Sequence, residues 1–160
     1  MGIHKGTIVR GQGHAQQNYK VMIPKIAEHY PAVSKCDQFG TINVCLDEPL
    51  DNSHADYWTP PILWSPVTGL EKNRLEAFGF IKIKFEYPCG VQKYDAWIIL
   101  PEGHPWTYDS GGAEIIADVR IPGIEYGKRC ALHLDHNPSS PRPDRLGERY
   151  GVTGKGSAAG

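Results

Sequence analysis

Glycine and proline interrupt this chain too often for long helices. Among its 160 residues are 18 glycines and 13 prolines, and both residue types punctuate regular structure. The segments between them are short, and several alternate apolar with polar residues, the period of a half-buried strand. The pattern is clearest over 78–87. There Phe78, Phe80, Ile81, Ile83 and Phe85 are interleaved with Lys82, Lys84 and Glu86. Pro88-Cys89-Gly90 reads as a turn, and 94–100 as its hairpin partner. Further strands are predicted at 6–9, 19–23, within 39–46, over 113–121 and over 130–134. In the third of these, Ile42, Val44 and Leu46 share one face. Residues 57–64, with two prolines and two tryptophans, read as extended chain. One short helix is predicted to start at Pro24, with Ile26, Ala27 and Tyr30 on one face and Pro31 ending it. Six to eight short strands with a single helix suit a closed or nearly closed β-barrel, because closure removes strand edges. Residues 1–137 are expected to form one barrel domain. Residues 138–160, rich in Pro, Arg, Gly and Ser, are expected to be a flexible tail.

Composition narrows the function classes. Hydrophobic residues make up 40% of the chain, enough for a packed core. Lys and Arg total 17 against 18 Asp and Glu, so no general electrostatic grip on nucleic acid or an anionic membrane is expected. No apolar run approaches the length of a membrane span. The start, Met1-Gly2-Ile3-His4-Lys5, has no apolar signal-like region, so a cytoplasmic location is expected. Cys36, Cys45, Cys89 and Cys130 form no Cys-x-x-Cys pair, which argues against a structural zinc site and for reduced, mostly packed thiols.

Few residue groups suggest chemistry. Gly11-Gln12-Gly13 follows a strand, where glycines let backbone N–H groups approach an anion such as phosphate. Gln16 stands where a dinucleotide-binding turn has its third glycine, and no Gly-Lys-Ser/Thr is present. The plain alternative is a tight turn between two strands. On a strand, Thr41 and Asn43 point to the same face, and their hydroxyl and carboxamide oxygens suit a hard cation such as Mg²⁺ carrying phosphates. The alternative is a strand cap. His133, Asp135 and His136 do not converge by spacing and read as a solvated strand end rather than a metal site. The acidic stretch 47–56 reads as solvated surface. No Gly-x-Ser-x-Gly supports a hydrolase.

The order of these pieces is more telling than any one of them. A strand ending in Val9-Arg10-Gly11-Gln12-Gly13 leads to an aromatic at Tyr19, a short helix and Phe39-Gly40-Thr41-Ile42-Asn43-Val44. Later come Ala96-Trp97-Ile98-Ile99-Leu100-Pro101 and Glu114-Ile115-Ile116-Ala117-Asp118-Val119-Arg120. Over about residues 5–135 this resembles the archaeal CTP-dependent riboflavin kinases. The Gly-Thr-Ile-Asn segment is the most specific piece. Departures are Ala15 for a turn glycine, Phe39 and Asp118 for prolines, and a longer, more aromatic insertion over 47–75. The resemblance implies a compact six-stranded cradle-loop β-barrel that transfers the terminal phosphate of CTP to riboflavin, giving FMN and CDP. It would place Gly11, Gln12 and Gly13 at the nucleotide, Thr41 and Asn43 on Mg²⁺, and Glu114 at the flavin hydroxyl as base. Beside the resemblance, Tyr19 and the tryptophans Trp58, Trp64, Trp97 and Trp106 are aromatics able to stack on a planar ring, although core or hairpin packing is the ordinary role of each. The partners implied are small molecules only. Two other readings stay open: a kinase of this fold with another acceptor, and a non-catalytic barrel that binds a small molecule or a protein.

Overall fold

The structure is a computed structural model and describes residues 2–11, 14–50, 55–64, 74–101 and 111–134. The strands are β1 (Gly2–Val9), β2 (Thr41–Leu46), β3 (Tyr57–Trp58), β4 (Ile62–Trp64), β5 (Arg74–Glu76), β6 (Phe78–Glu86), β7 (Lys93–Pro101), β8 (Gly112–Ala117) and β9 (Arg129–Leu134). One helix, α1 (His14–Ala27), and two short 3-10 turns, Pro31–Val33 and Cys36–Gln38, lie between β1 and β2. Six strands run in the order β6-β7-β8-β2-β1-β9, and β9 pairs back onto β6 to close an antiparallel barrel. The expected mostly-β, closed six-stranded barrel is therefore what the chain forms. No helix among the described residues is long and apolar enough to cross a membrane.

The free edge of β6 is shared. Gly79 and Phe80 pair with β3, while residues 83–86 pair with β9. Alternation sends Ile81, Ile83 and Phe85 into the barrel with Ile98, Ile115 and Leu132. Phe78 and Phe80 point outward, where they pack under Met22, Ile23 and Ile26 of α1. Among the described residues Trp58 is the one indole inside the barrel cluster, and Gly79 makes room for it. A Cβ at position 79 would lie 2.8 Å from Trp58 Cε2. Gly79→Ala is thus expected to cost about 1–3 kcal/mol through overpacking, read as a lower midpoint in urea. An unchanged midpoint would show that the Trp58 ring can shift freely.

Polar side chains fasten the ends of the strands. Thr59 N–H donates to Phe78 O at 2.8 Å, and Phe78 N–H donates back to Thr59 Oγ1 at 3.0 Å. The Arg129 guanidinium donates to both carboxylate oxygens of Asp47, at 2.8 and 2.6 Å, and to Thr7 Oγ1 at 3.0 Å. The Glu86 carboxylate accepts from the Gly90 N–H of the β6–β7 turn and pairs with His133 Nε2 at 2.7 Å. All four cysteines are free; Cys36 and Cys130 are buried and Cys45 and Cys89 are exposed.

Several sequence expectations need correction. Residues 19–23 are not a strand but part of α1, and the helix does not begin at Pro24 but ten residues earlier, at His14. Met22, Ile23 and Ile26 lie on one helical face and are almost fully buried. Their burial outweighs the helix hydrogen bond that Pro24 forfeits. The strand expected over 113–121 ends at Ala117, where Asp118 bends the chain and Pro122 follows. The first strand begins at Gly2 rather than residue 6. The extended segment 57–64 resolves into β3 and β4, and β4 pairs with the unforeseen β5. The expected tail, Asp135 and His136 lie outside the described residues.

Candidate functional site

The outward face of the barrel brings distant parts of the sequence together. Ile42, Val44 and Leu46 belong to the interior cluster, as do Ala113, Ile115 and Ala117. Thr41, Asn43 and Glu114 must then face outward. Register aligns them: Val9 opposes Asn43, Asn43 opposes Glu114, and Glu114 opposes Ile99 on β7. Thr41 opposes Ile116 in the next row. Ile99 and Ile116 are covered in the outer cluster beneath α1. Val9, Gly11, Thr41, Asn43 and Glu114 are all partly exposed. The result is a half-buried polar patch between β1 and the apolar seat of the helix.

Gly11 closes one side of this patch. A Cβ built on it would lie 2.9 Å from Asn43 Cγ and closer still to Nδ2. Arg10, one residue earlier, stacks its guanidinium over the Tyr126 ring with 4.9 Å to the centroid. α1 begins at His14, directly after the undescribed Gln12 and Gly13.

Burial pushes the Glu114 carboxyl up from its usual 4.5 to about 7, partly offset by the nearby Thr41 hydroxyl, which favours the charged form. Among the described residues, Thr41 Oγ1 is shielded from solvent and makes no hydrogen bond of ordinary geometry; its polar neighbour is the Glu114 carboxyl. A buried hydroxyl so weakly satisfied is unusual in a native fold. The carboxyl value suits proton transfer near neutral pH.

Of the residues singled out in the sequence, Gly11, Thr41, Asn43 and Glu114 meet in one place. Gln12, Gly13 and the side chain of Tyr19 lie outside the described part. The backbone of Tyr19 belongs to α1 rather than to a strand. His133 is bound to Glu86 on another face of the barrel. Sequence reasoning missed the contact between Gly11 and Asn43 and the stacking of Arg10 on Tyr126, because both depend on register and turn geometry. It also missed the start of α1 just after the glycine turn. The spacing of Met22, Ile23 and Ile26 could have signalled it.

No protein-family model matches this chain, and no curated protein matches it.

Proposed function

We propose that this protein is a CTP-dependent phosphotransferase that moves the terminal phosphate of the nucleotide to the hydroxyl of riboflavin, with Mg²⁺. One observation carries the reading. Gly11, Thr41, Asn43 and Glu114, nominated by motif order, lie together on one half-buried patch although they come from three separate segments. The donor set fits a hard divalent cation, because a hydroxyl and a carboxamide oxygen are neutral oxygen ligands and the shielded Thr41 hydroxyl makes no hydrogen bond of ordinary geometry among the described residues. Thr41 and Asn43 would hold Mg²⁺, which supplies charge neutralisation to the phosphates.

The remaining work falls to the protein. Phosphoryl transfer depends on positioning and electrostatics. Glu114, with its raised carboxyl, accepts the proton of the acceptor hydroxyl. The acceptor oxygen then bonds to the terminal phosphorus as the bond to the β-phosphate oxygen breaks, leaving CDP. Arg10, parked on Tyr126 beside the turn, is a cation within the same stretch of chain.

A thermal-shift panel of CTP, ATP, GTP and UTP, each with and without Mg²⁺, tests the reading. Ligand at 100 times its Kd stabilises the native state by about 2.7 kcal/mol. The expected result is a Mg²⁺-dependent shift with CTP, followed by FMN formation when riboflavin is added. A CTP shift without FMN formation would favour another acceptor. No shift with any nucleotide would favour the non-catalytic barrel.

A further inference from the structure

We propose that Gly11 is a positioning residue whose missing side chain leaves the Asn43 carboxamide its seat at the end of β1; the proposal rests on the reading of Asn43 as a ligand of the cation. A glycine serves a fold either by conformational freedom or by leaving space. Gly11 does not use the first. Its φ lies outside the left-handed region, unlike that of Gly40 at 78°. The second is in use, because the volume a β-carbon would occupy is filled by the Asn43 carboxamide, with Cγ 2.9 Å and Oδ1 3.3 Å away.

The strand register explains why this matters. Asn43 is held in the sheet on both sides, opposite Val9 on β1 and Glu114 on β8. Its backbone cannot retreat, so only its side-chain torsions can answer a collision. β1 ends at Val9, opposite Asn43, so Gly11 lies just past the paired rows. The Asn43 side chain reaches over this end of the strand and fills the space at Gly11. A methyl group at position 11 would turn the carboxamide out of that seat and re-aim its oxygen. This role differs from lending a backbone N–H to a phosphate. Alanine keeps the N–H and tolerates an ordinary φ, so a backbone role would survive Gly11→Ala and the positioning role would not.

The test is a double-mutant cycle of Gly11→Ala and Asn43→Ala. Two readouts are used: the side-chain amide resonance of Asn43 in the unliganded protein, and Mg²⁺-dependent CTP affinity. In the unliganded protein, Gly11→Ala is expected to shift the Asn43 side-chain amide resonance. It should weaken Mg²⁺-dependent CTP binding at least about tenfold, a change of 1.4 kcal/mol. The double variant should bind no more weakly than Asn43→Ala alone. An unmoved amide resonance, or losses that multiply in the double variant, would overturn the proposal. Should Gly11→Ala fail to fold, refolding in the double variant supports the collision, and a double variant that is also unfolded refutes it. Wild-type protein that binds no CTP would count against the kinase reading alone, and the amide resonance would still decide the role of Gly11.

Discussion

Replacing Glu114 by Gln is expected to slow phosphoryl transfer by roughly 10²–10⁴-fold, the usual contribution of a general base, while Mg²⁺–CTP binding is retained. Gln keeps the size and the hydrogen-bonding capacity of the neutral acid but cannot accept the proton. The pH dependence follows from the carboxyl, which burial raises to about 7. Only its ionised form is a base, so wild-type turnover should rise as pH increases through about 7 and then level off. Stability should run the other way. A carboxyl raised above its unfolded value contributes stability that is fully present below about 4.5 and is lost as pH rises through about 7. At pH 8 the wild-type protein therefore holds a destabilising charge on the barrel surface, and Glu114→Gln should be the more stable by on the order of 2–3 kcal/mol. At pH 4 the two should unfold alike. Denaturant titrations at both pH values, beside initial rates, separate this from a packing role. Equal stability at pH 8, or a variant that transfers phosphate as fast as wild type, would remove Glu114 from the chemistry. A side chain that weakens the fold at working pH is the pattern expected of a functional group rather than a structural one.

The parts of this site that the sequence made legible are those governed by period two. Once Ile42, Val44 and Leu46 are assigned to the interior, Thr41 and Asn43 can only face outward. The same parity fixes Glu114 against Ala113 and Ile115. Closure of the barrel was legible from the number of short strands and the turns between them. Other features depend on tertiary pairing. β3 has only two residues, Tyr57 and Trp58, and exists because the upper part of β6 offers them an edge that β9 leaves uncovered. α1 was misread because its apolar residues 21–23 form a run that fits either template, and Pro24 argues locally for a helix start. Only the outward Phe78, Phe80, Trp97 and Ile99 decide the matter, by offering Ile23 and Ile26 a surface to bury against. The meeting of Gly11 with Asn43 depends on how the chain leaves β1, which no local pattern carries.

Thr41→Val sets stability against function in the same way, and its effect on turnover is expected to match that of Glu114→Gln. Valine preserves the β-branched shape favoured on a strand and removes only the hydroxyl. That hydroxyl is buried and only weakly engaged, by Glu114, so losing it relieves a desolvation cost of at most about 1–3 kcal/mol. The unliganded variant should therefore unfold at a higher urea concentration than wild type. Metal-dependent turnover should nevertheless fall by roughly 10²-fold or more, the scale of losing several kcal/mol of charge stabilisation. Thr41→Ser, which restores the oxygen, should recover most of it. The hydroxyl also favours the ionised form of Glu114. Its removal should move the rise in residual activity to higher pH, a shift that mere loosening of the strand would not produce. Turnover that keeps its wild-type rate and Mg²⁺ dependence in Thr41→Val would detach the metal from this patch and leave Glu114 as a buried carboxyl without a cation beside it.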